Sequence, residues 1–180
     1  EAFDKTAKIL GLGYPGGPAV EAFAKQGNPK AVPLPRPLIR SAEPHFSFAG
    51  LKSAVVRAHQ SGAHRPEDIA ASFQQAVVDC LRDRLEKAVR DHGSCAHLVV
   101  AGGVAANTPI RAMLQQVAEE NDMTFTAPPQ WLCTDNAAMI AWAGAERFAA
   151  GLTDPLDFVA RPRWPLDPTA EKARGAGVKA

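Results

Sequence analysis

The stretch LVVAGGVAANTPIRAMLQQ, residues Leu98–Gln116, decides the fold that this sequence predicts. The apolar run Leu98–Ala101 is typical of a buried strand, Gly102 and Gly103 open a turn, and a threonine–proline pair starts a helix. Glycine lets a backbone approach a ligand closely, and the N–H groups of a first helical turn attract phosphate. The stretch therefore predicts a nucleotide-binding corner, with a plain strand-to-helix turn as the alternative, because two glycines make a weak motif.

Helices and strands alternate on both sides of this corner. The pattern predicts a second short strand at Met123–Ala127, and the alternation of Phe46 and Phe48 predicts another before a helix. A long core-facing helix is predicted at Pro66–His92, because a proline stands at its start and a glycine follows its end. Further helices are predicted at Glu1–Leu10, Ala19–Gly27 and about Asp135–Ala150. This order of elements indicates an α/β fold.

The composition indicates a soluble globular chain of 180 residues in one domain, with 46% hydrophobic and 22% charged residues. No apolar run approaches the ~18 residues of a membrane helix, so insertion into a membrane is not expected. Lys and Arg exceed Asp and Glu by one, 20 against 19, so net charge neither requires nor excludes a nucleic-acid partner.

Cysteine usage and the first residue bear on the cellular setting. The 3 cysteines are widely spaced and form no CxxC pair, which argues against disulfides or structural zinc and favours a reducing, cytoplasmic location. The chain opens at Glu1 without a start methionine or a signal peptide. We therefore expect a fragment whose upstream part is absent.

Two residues after the glycine turn are candidates for chemistry. Asp135 is the strongest, because it lies at a predicted helix start behind Pro128 and Pro129, where a carboxylate can meet a ligand or a metal. The alternative for Asp135 is an N-cap. Asn107 has an amide suited to a ribose or a base, with a turn residue in the left-handed region as the alternative.

The beginning of the chain offers a second group of candidates. Asp4 is placed to accept hydrogen bonds from ribose hydroxyls, and the alternative is an exposed helical carboxylate. Gly16 and Gly17 would let the backbone pass close to a nucleotide, although a tight turn explains them equally well. For Glu21, contact with a nucleotide and an ordinary structural role are likewise both open.

Histidine spacing predicts no metal site. His59 and His64 are five residues apart, as are His92 and His97, and this spacing separates two side chains on a helix by roughly 140°. Neither pair can therefore chelate an ion from one helix face. Cys133 is predicted to pack in the interior, because no histidine is positioned to activate it as a nucleophile.

Longer blocks of sequence carry more information than these single residues. In chain order they are EAFDKTAKILGLGYPGGP (Glu1–Pro18), FSFAGLK (Phe46–Lys52), VVAGGVAAN (Val99–Asn107), LCTDNAAMIAWAG (Leu132–Gly144) and RPRWPL (Arg161–Leu166). Together they resemble the TsaD family, the tRNA threonylcarbamoyladenosine transferases. The resemblance implies the actin-like ASKHA fold of actin, sugar kinases and heat-shock ATPases, with this chain mostly its second lobe. Residues 1–156 would belong to that lobe and residues 157–180 to a tail with a disordered end.

The resemblance also implies an activity. The family transfers the threonylcarbamoyl group of threonylcarbamoyl-AMP to the N6 amine of the adenosine 3′ of the anticodon, in tRNAs that read codons starting with A. The residues that would bind the nucleotide (ATP, ADP or threonylcarbamoyl-AMP) are Asp4, Gly17, Glu21, Gly102, Gly103 and Asn107. No residue is expected to act as a catalytic acid, base or nucleophile. Asp135 would be a ligand of one divalent metal, with iron favoured over zinc or magnesium.

The implied partners are tRNA and, in bacteria, accessory proteins similar to TsaB and TsaE. The family's paired histidine ligands and its other glycine-rich loop lie upstream, so we expect the isolated chain to be inactive and to bind nucleotide weakly. Ala49 stands where serine is common in relatives, which puts a role for that hydroxyl in doubt. The alternatives are an actin-like ATPase or sugar kinase, and a non-catalytic partner module of the same fold.

Overall fold

The computed structural model describes residues 1–42, 45–93, 95–160 and 169, which divide into a unit of residues 1–135 and a unit that begins at residue 136. The helices of the first unit are α1 (Ala2–Ile9), α2 (Gly16–Ala24), α3 (Ala49–Gln60), α4 (Pro66–His92) and α5 (Thr108–Glu120). Its strands are β1 (His97–Val99) and β2 (Thr124–Thr126), and 3₁₀ turns cover Gly103–Ala106 and Gln130–Leu132. The second unit contains α6 (Ala137–Ala149).

The long helix α4 organises the core of the first unit, and its bounds confirm the prediction. Pro66 occupies its first turn, and Gly93 ends it with a φ of 81° that favours glycine. Ile69 and Phe73 are fully buried, and the ring of Phe3 meets that of Phe73 edge-on at 5.1 Å. Helices α2, α3 and α5 pack against α4. The second half of α4 is only half-buried.

Strands β1 and β2 run parallel, joined by α5, and form the two-stranded sheet of the described residues. His97 pairs with Thr124 and Val99 with Thr126. Parallel strands need a crossover connection, which α5 provides. The strands predicted at Leu98–Ala101 and Met123–Ala127 are confirmed at His97–Val99 and Thr124–Thr126, each 3 residues long. The expectation that the first of them is buried is wrong, because Val99 is 68% exposed. The glycine corner, which we define as residues Gly102–Asn107, follows the carboxyl end of β1.

Two glycines allow helices to approach closely. A Cβ added at Gly16 would lie 2.5 Å from the Cα of Asp4, so α1 and α2 touch through backbone. A Cβ added at Gly27 would lie 2.0 Å from the carbonyl oxygen of Glu67 at the start of α4. Any larger residue at either position would have to move backbone, which is far costlier than moving a flexible side chain.

The proline-rich residues 28–41, called the strap below, lie along α4 without regular helix. Ser72 Oγ accepts a hydrogen bond from the N–H of Val32 at 3.1 Å and donates one to the carbonyl of Asn28 at 3.3 Å. Side chains of α4 that accept hydrogen bonds from the strap are Asp68, Ser72, Asp79 and Asp83. The helix therefore supplies the partners that a strap without its own secondary structure lacks.

The strand predicted around Phe46 and Phe48 is wrong. Phe48 is the N-cap of α3 and packs on the core, and Phe46 is 56% exposed. Alternation makes a strand only where a neighbouring strand supplies hydrogen bonds, and here the chain turns directly into a helix. Helix α2 begins at Gly16, earlier than the predicted start at Ala19, because Pro15 suits a helix start.

The remaining predictions about the chain's organisation concern its end. The RPRWPL block and nearly all of the tail lie outside the described residues, and a boundary at residue 156 stays a prediction. Among the helices of the described ranges, none combines the length and the apolar character that crossing a membrane requires.

Candidate functional site

A cavity of about 370 Å³ lies in the first unit, between the beginning of the chain and the glycine corner. Five of the six predicted nucleotide-binding residues line it, and they are Asp4, Gly17, Glu21, Gly103 and Asn107. Gly102 does not line the cavity but turns the chain into its wall with a φ of 92°. The fold thus brings together two groups of residues that lie about 90 positions apart in the sequence.

Asp4 connects the cavity to the start of α2. Its Oδ1 accepts a hydrogen bond from the N–H of Gly16 at 3.0 Å. The side chain remains 48% exposed. The carboxylate therefore caps α2 and still faces the cavity, so it is more than the exposed helical carboxylate of the alternative.

Glu21 and Asn107 form a cluster on the opposite wall. The Nδ2 of Asn107 donates to Glu21 Oε2 at 3.1 Å and to Gln74 Oε1 at 3.0 Å. Its Oδ1 accepts from the N–H of Ile110 at 3.1 Å, so Asn107 is the N-cap of α5. The φ of Asn107 is −69°, and the left-handed alternative for this residue is wrong. Because both amide hydrogens are engaged, Asn107 orients Glu21 toward the cavity.

The first turn of α5 offers little to a phosphate. The N–H of Thr108 donates to Glu21 at 3.3 Å, Pro109 has no N–H, and the N–H of Ile110 donates to Asn107. The expectation that free N–H groups of this turn attract phosphate is therefore wrong, because an internal carboxylate already occupies the helix N-terminus.

Acidic side chains, apolar side chains and glycine backbone line the cavity together. Its carboxylates belong to Glu1, Asp4 and Glu21, and its lining contains no Lys, Arg or His. Hydrogen bonds from Lys5 and then Lys52 lower the pKa of Glu1 to about 2, so its carboxylate is ionised at neutral pH. Added Cβ atoms at Gly17 and Gly103 would meet nothing within 4 Å. The arrangement suits hydroxyl and amine donors rather than anions.

Asp135 does not line this cavity and stands exposed at the end of the first unit. The N-cap of α6 is Asn136, whose Oδ1 accepts from the N–H of Met139 at 3.0 Å, so the capping alternative for Asp135 is wrong. Within the described ranges, no three His, Cys, Asp or Glu side chains are grouped closely enough to hold a metal. One carboxylate is not a metal site, and further ligands would have to come from elsewhere.

Sequence analysis missed several residues of the site. Gln74 follows the buried Phe73 on α4, and the helical pattern gives no signal that it meets Asn107. Gln130 and Thr134 line the cavity, and their place beside the CTDN block was the available signal. Cys133 is buried, which confirms the prediction that it packs in the interior.

Comparisons with known proteins identify the family. A sequence model of the TsaD family, described as tRNA N6-adenosine threonylcarbamoyltransferase, matches residues 1–142. The chain is 72% identical over 180 residues to the protein of that name from Sphingopyxis alaskensis and 68% identical to that from Erythrobacter litoralis. Each of these matches covers 100% of this chain and 52% of the relative. The Zymomonas mobilis protein of that name is 65% identical, with 51% of its length covered.

The chain therefore spans about half the length of the curated relatives it matches. The matched range includes both walls of the cavity and Asp135. The chain belongs to the TsaD family of tRNA N6-adenosine threonylcarbamoyltransferases.

Proposed function

We propose that the full-length protein containing this chain transfers a threonylcarbamoyl group from threonylcarbamoyl-AMP to tRNA. The acceptor is the N6 amine of the adenosine 3′ of the anticodon, in tRNAs that read codons starting with A. Membership of the family supports the reaction. The observation that carries the proposal is the cavity that gathers Asp4, Gly17, Glu21 and Asn107. We further propose the actin-like ASKHA fold, with this chain forming mostly its second lobe, as a parallel sheet joined by a helix allows.

The cavity binds the nucleoside part of the acyl donor. Asp4 and Glu21 accept hydrogen bonds from ribose hydroxyls or an exocyclic amine, because ionised carboxylates are strong acceptors for such donors. Gly17 and Gly103 leave their backbone open to the ligand. The volume of about 370 Å³ falls within the usual range for small-molecule sites. Asn107 acts as a positioning residue, since its amide holds Glu21.

The phosphate and the acyl group lie outside this cavity. A phosphate beside Asp4 and Glu21 would be repelled, and no cationic side chain in the lining offsets that repulsion. Cations and further donors for the phosphate come from parts of the full-length protein beyond the described residues. The chemical work of this chain is therefore to bind and orient the donor, which lowers the barrier by positioning the reactants.

Asp135 is proposed as one ligand of a divalent ion, with iron favoured over zinc or magnesium. Such an ion, when bound, polarises the acyl carbonyl or neutralises phosphate charge. The described residues contribute a single exposed carboxylate to it and do not form a metal site by themselves. No step of the transfer is therefore assigned to the ion.

The proposed partners are tRNA and, in a bacterium, accessory proteins similar to TsaB and TsaE, all in the cytoplasm. An actin-like ATPase or a sugar kinase is less well supported, because the family model that matches residues 1–142 is that of the tRNA N6-adenosine threonylcarbamoyltransferases. A non-catalytic module would bind neither nucleotide nor acyl donor, which the following experiment measures.

The experiment compares the wild-type full-length protein with Asp4→Asn, Asp135→Ala and a control, Glu119→Gln, which lies exposed on α5. Calorimetry with threonylcarbamoyl-AMP measures affinity, elemental analysis measures metal content, and mass spectrometry of tRNA measures transfer. We expect Asp4→Asn to weaken donor binding by about tenfold, because a charge-assisted acceptor is lost, with metal content unchanged. Asp135→Ala should lower metal content and transfer. A wild-type protein that binds neither donor nor ATP would contradict the proposal.

A further inference from the structure

We propose that Trp131 is a stacking platform for an unpaired base of the RNA substrate, an inference that rests on the proposed transfer to tRNA. Trp131 occupies the 3₁₀ turn Gln130–Leu132, and 72% of its surface is exposed. An indole plane stacks on a nucleobase whatever the base is, and proteins that bind single-stranded RNA use exposed aromatic rings in this way.

The turn that carries Trp131 is held in place by its neighbours. Gln130 Nε2 donates to the carbonyl of Ala106 in the glycine corner at 2.6 Å. The N–H of Leu132 donates to the carbonyl of Pro129 at 2.9 Å. A stacking surface that is already fixed loses little conformational entropy when the base arrives, so its contribution to binding is large.

The position of Trp131 relative to the cavity fits the proposed reaction. Gln130 precedes it and Thr134 follows three residues later, and both line the cavity, whereas Trp131 lies on the outside of the same turn. A base on the indole would thus lie at the edge of the site proposed for the donor nucleoside. The acceptor of the reaction is an adenine amine, so a base must be held near this edge, outside any helical stack.

A cationic side chain contacts the residues on both sides of the same turn, Pro128 before it and Cys133 after it. Arg111 donates from Nη2 to the carbonyl of Pro128 at 2.8 Å and from Nε to the carbonyl of Ala105 at 3.1 Å. Arg111 takes part in none of the ion pairs between described residues, so its charge is not neutralised there by a carboxylate. A positive charge beside an aromatic platform attracts the RNA backbone, and this combination favours RNA over an uncharged apolar partner.

The test uses the full-length protein with Trp131→Leu, Trp131→Phe and a matched control, Trp142→Leu, whose indole on α6 is also 72% exposed. Four quantities are measured, namely the Kd for tRNA, the KM for threonylcarbamoyl-AMP, the Tm, and the quenching of tryptophan fluorescence by tRNA. We expect Trp131→Leu to raise the Kd for tRNA by about tenfold and to remove part of the quenching. Trp131→Phe keeps an aromatic ring and should raise the Kd by only about threefold. The KM for the donor, the Tm and the control should stay at wild-type values.

Two results would overturn the inference. Wild-type tRNA affinity in Trp131→Leu would show that no base stacks there, whether or not the protein transfers the acyl group. A lowered Tm with tRNA and donor binding weakened alike would show that Trp131 packs against another part of the protein. Failure of the proposed function looks different, because the wild-type protein itself would then leave tRNA unmodified.

Discussion

The proline-rich strap and the walls of the cavity use their polar groups in opposite ways. In the strap, backbone groups such as the N–H of Val32 are bonded to α4. In the cavity walls, Gly17 and Gly103 face open space. The strap is thus complete without a ligand, whereas the walls leave room and polar groups for one.

The two regions also differ in whether their charged side chains form ion pairs. In the strap, Arg36 pairs with Asp79 at 2.9 Å. In the cavity, Asp4 and Glu21 pair with no lysine or arginine of the described residues. Paired charges stabilise a surface modestly, whereas carboxylates that pair with no lysine or arginine keep their oxygens available to a ligand.

The largest effect on stability is expected at one of two neighbouring glycines, Gly16 and Gly17, at the start of α2. In Gly16→Ala the new Cβ would meet backbone of Asp4 at 2.5 Å, so we expect a loss of about 3 kcal/mol in the free energy of unfolding. Gly17→Ala meets nothing within 4 Å and should leave stability unchanged while weakening donor binding. Chemical denaturation and calorimetry of the full-length variants check both. Equal stability of the two variants would refute the close approach of α1 and α2.

A smaller effect is expected in the strap, from Ser72→Ala. The substitution removes the acceptor of the Val32 N–H and the donor to Asn28 in a buried place, and we expect a loss of about 2 kcal/mol. Donor affinity should be unchanged, because Ser72 does not line the cavity. Denaturant titration and calorimetry measure the two quantities. A loss of donor affinity at full stability would erase the distinction between the two regions.

The smallest effect depends on pH and concerns Asp83, which anchors the end of the strap. Burial raises the pKa of this carboxyl. Hydrogen bonds from Arg84 and from the N–H of Arg40 lower the pKa by a larger amount, so it lies below the ordinary 3.8. A carboxylate with a lowered folded pKa contributes stability that is complete above its unfolded pKa and is lost as the pH falls through the folded pKa. We expect Asp83→Asn to cost about 1–2 kcal/mol at neutral pH.

The pH dependence provides the control for that substitution. The difference between wild type and Asp83→Asn should be constant above about pH 5 and should shrink as the pH falls further, through the lowered pKa of Asp83, because the wild-type carboxylate becomes protonated. Urea denaturation at several pH values measures it. A difference that stays constant below about pH 5 as well would show that charge on Asp83 does not hold the strap.

Much of the fold could be predicted because its signals are local. Pro66 and Gly93 bound α4, and the glycine corner lies between β1 and α5 as expected. The strand at Phe46 could not be excluded, since the absence of a pairing strand is a property of the tertiary structure. The phosphate expectation failed for a related reason. No local pattern shows that Glu21, 87 residues before Thr108, occupies the N-terminus of α5.

Part of the cavity lining could be predicted from the sequence, but the hydrogen bonds between its residues could not. Asp4, Gly17, Glu21, Gly103 and Asn107 do share one cavity, which the blocks of the family pattern anticipated. The hydrogen bond from the Asn107 amide to Glu21 can be recognised only in the three-dimensional arrangement. The metal assignment of Asp135 stays a prediction.

The close approach at Gly27 has a consequence for motion. Gly27 follows the end of α2 and lies so close to the backbone of Glu67 that no side chain fits between them as a deformable layer. Helix α2 and the first turns of α4 should therefore open and close as one cooperative unit in hydrogen exchange. Since α2 carries Gly17 and Glu21, the exchange protection of the first turns of α4, remote from the ligand, should rise when the donor nucleotide binds.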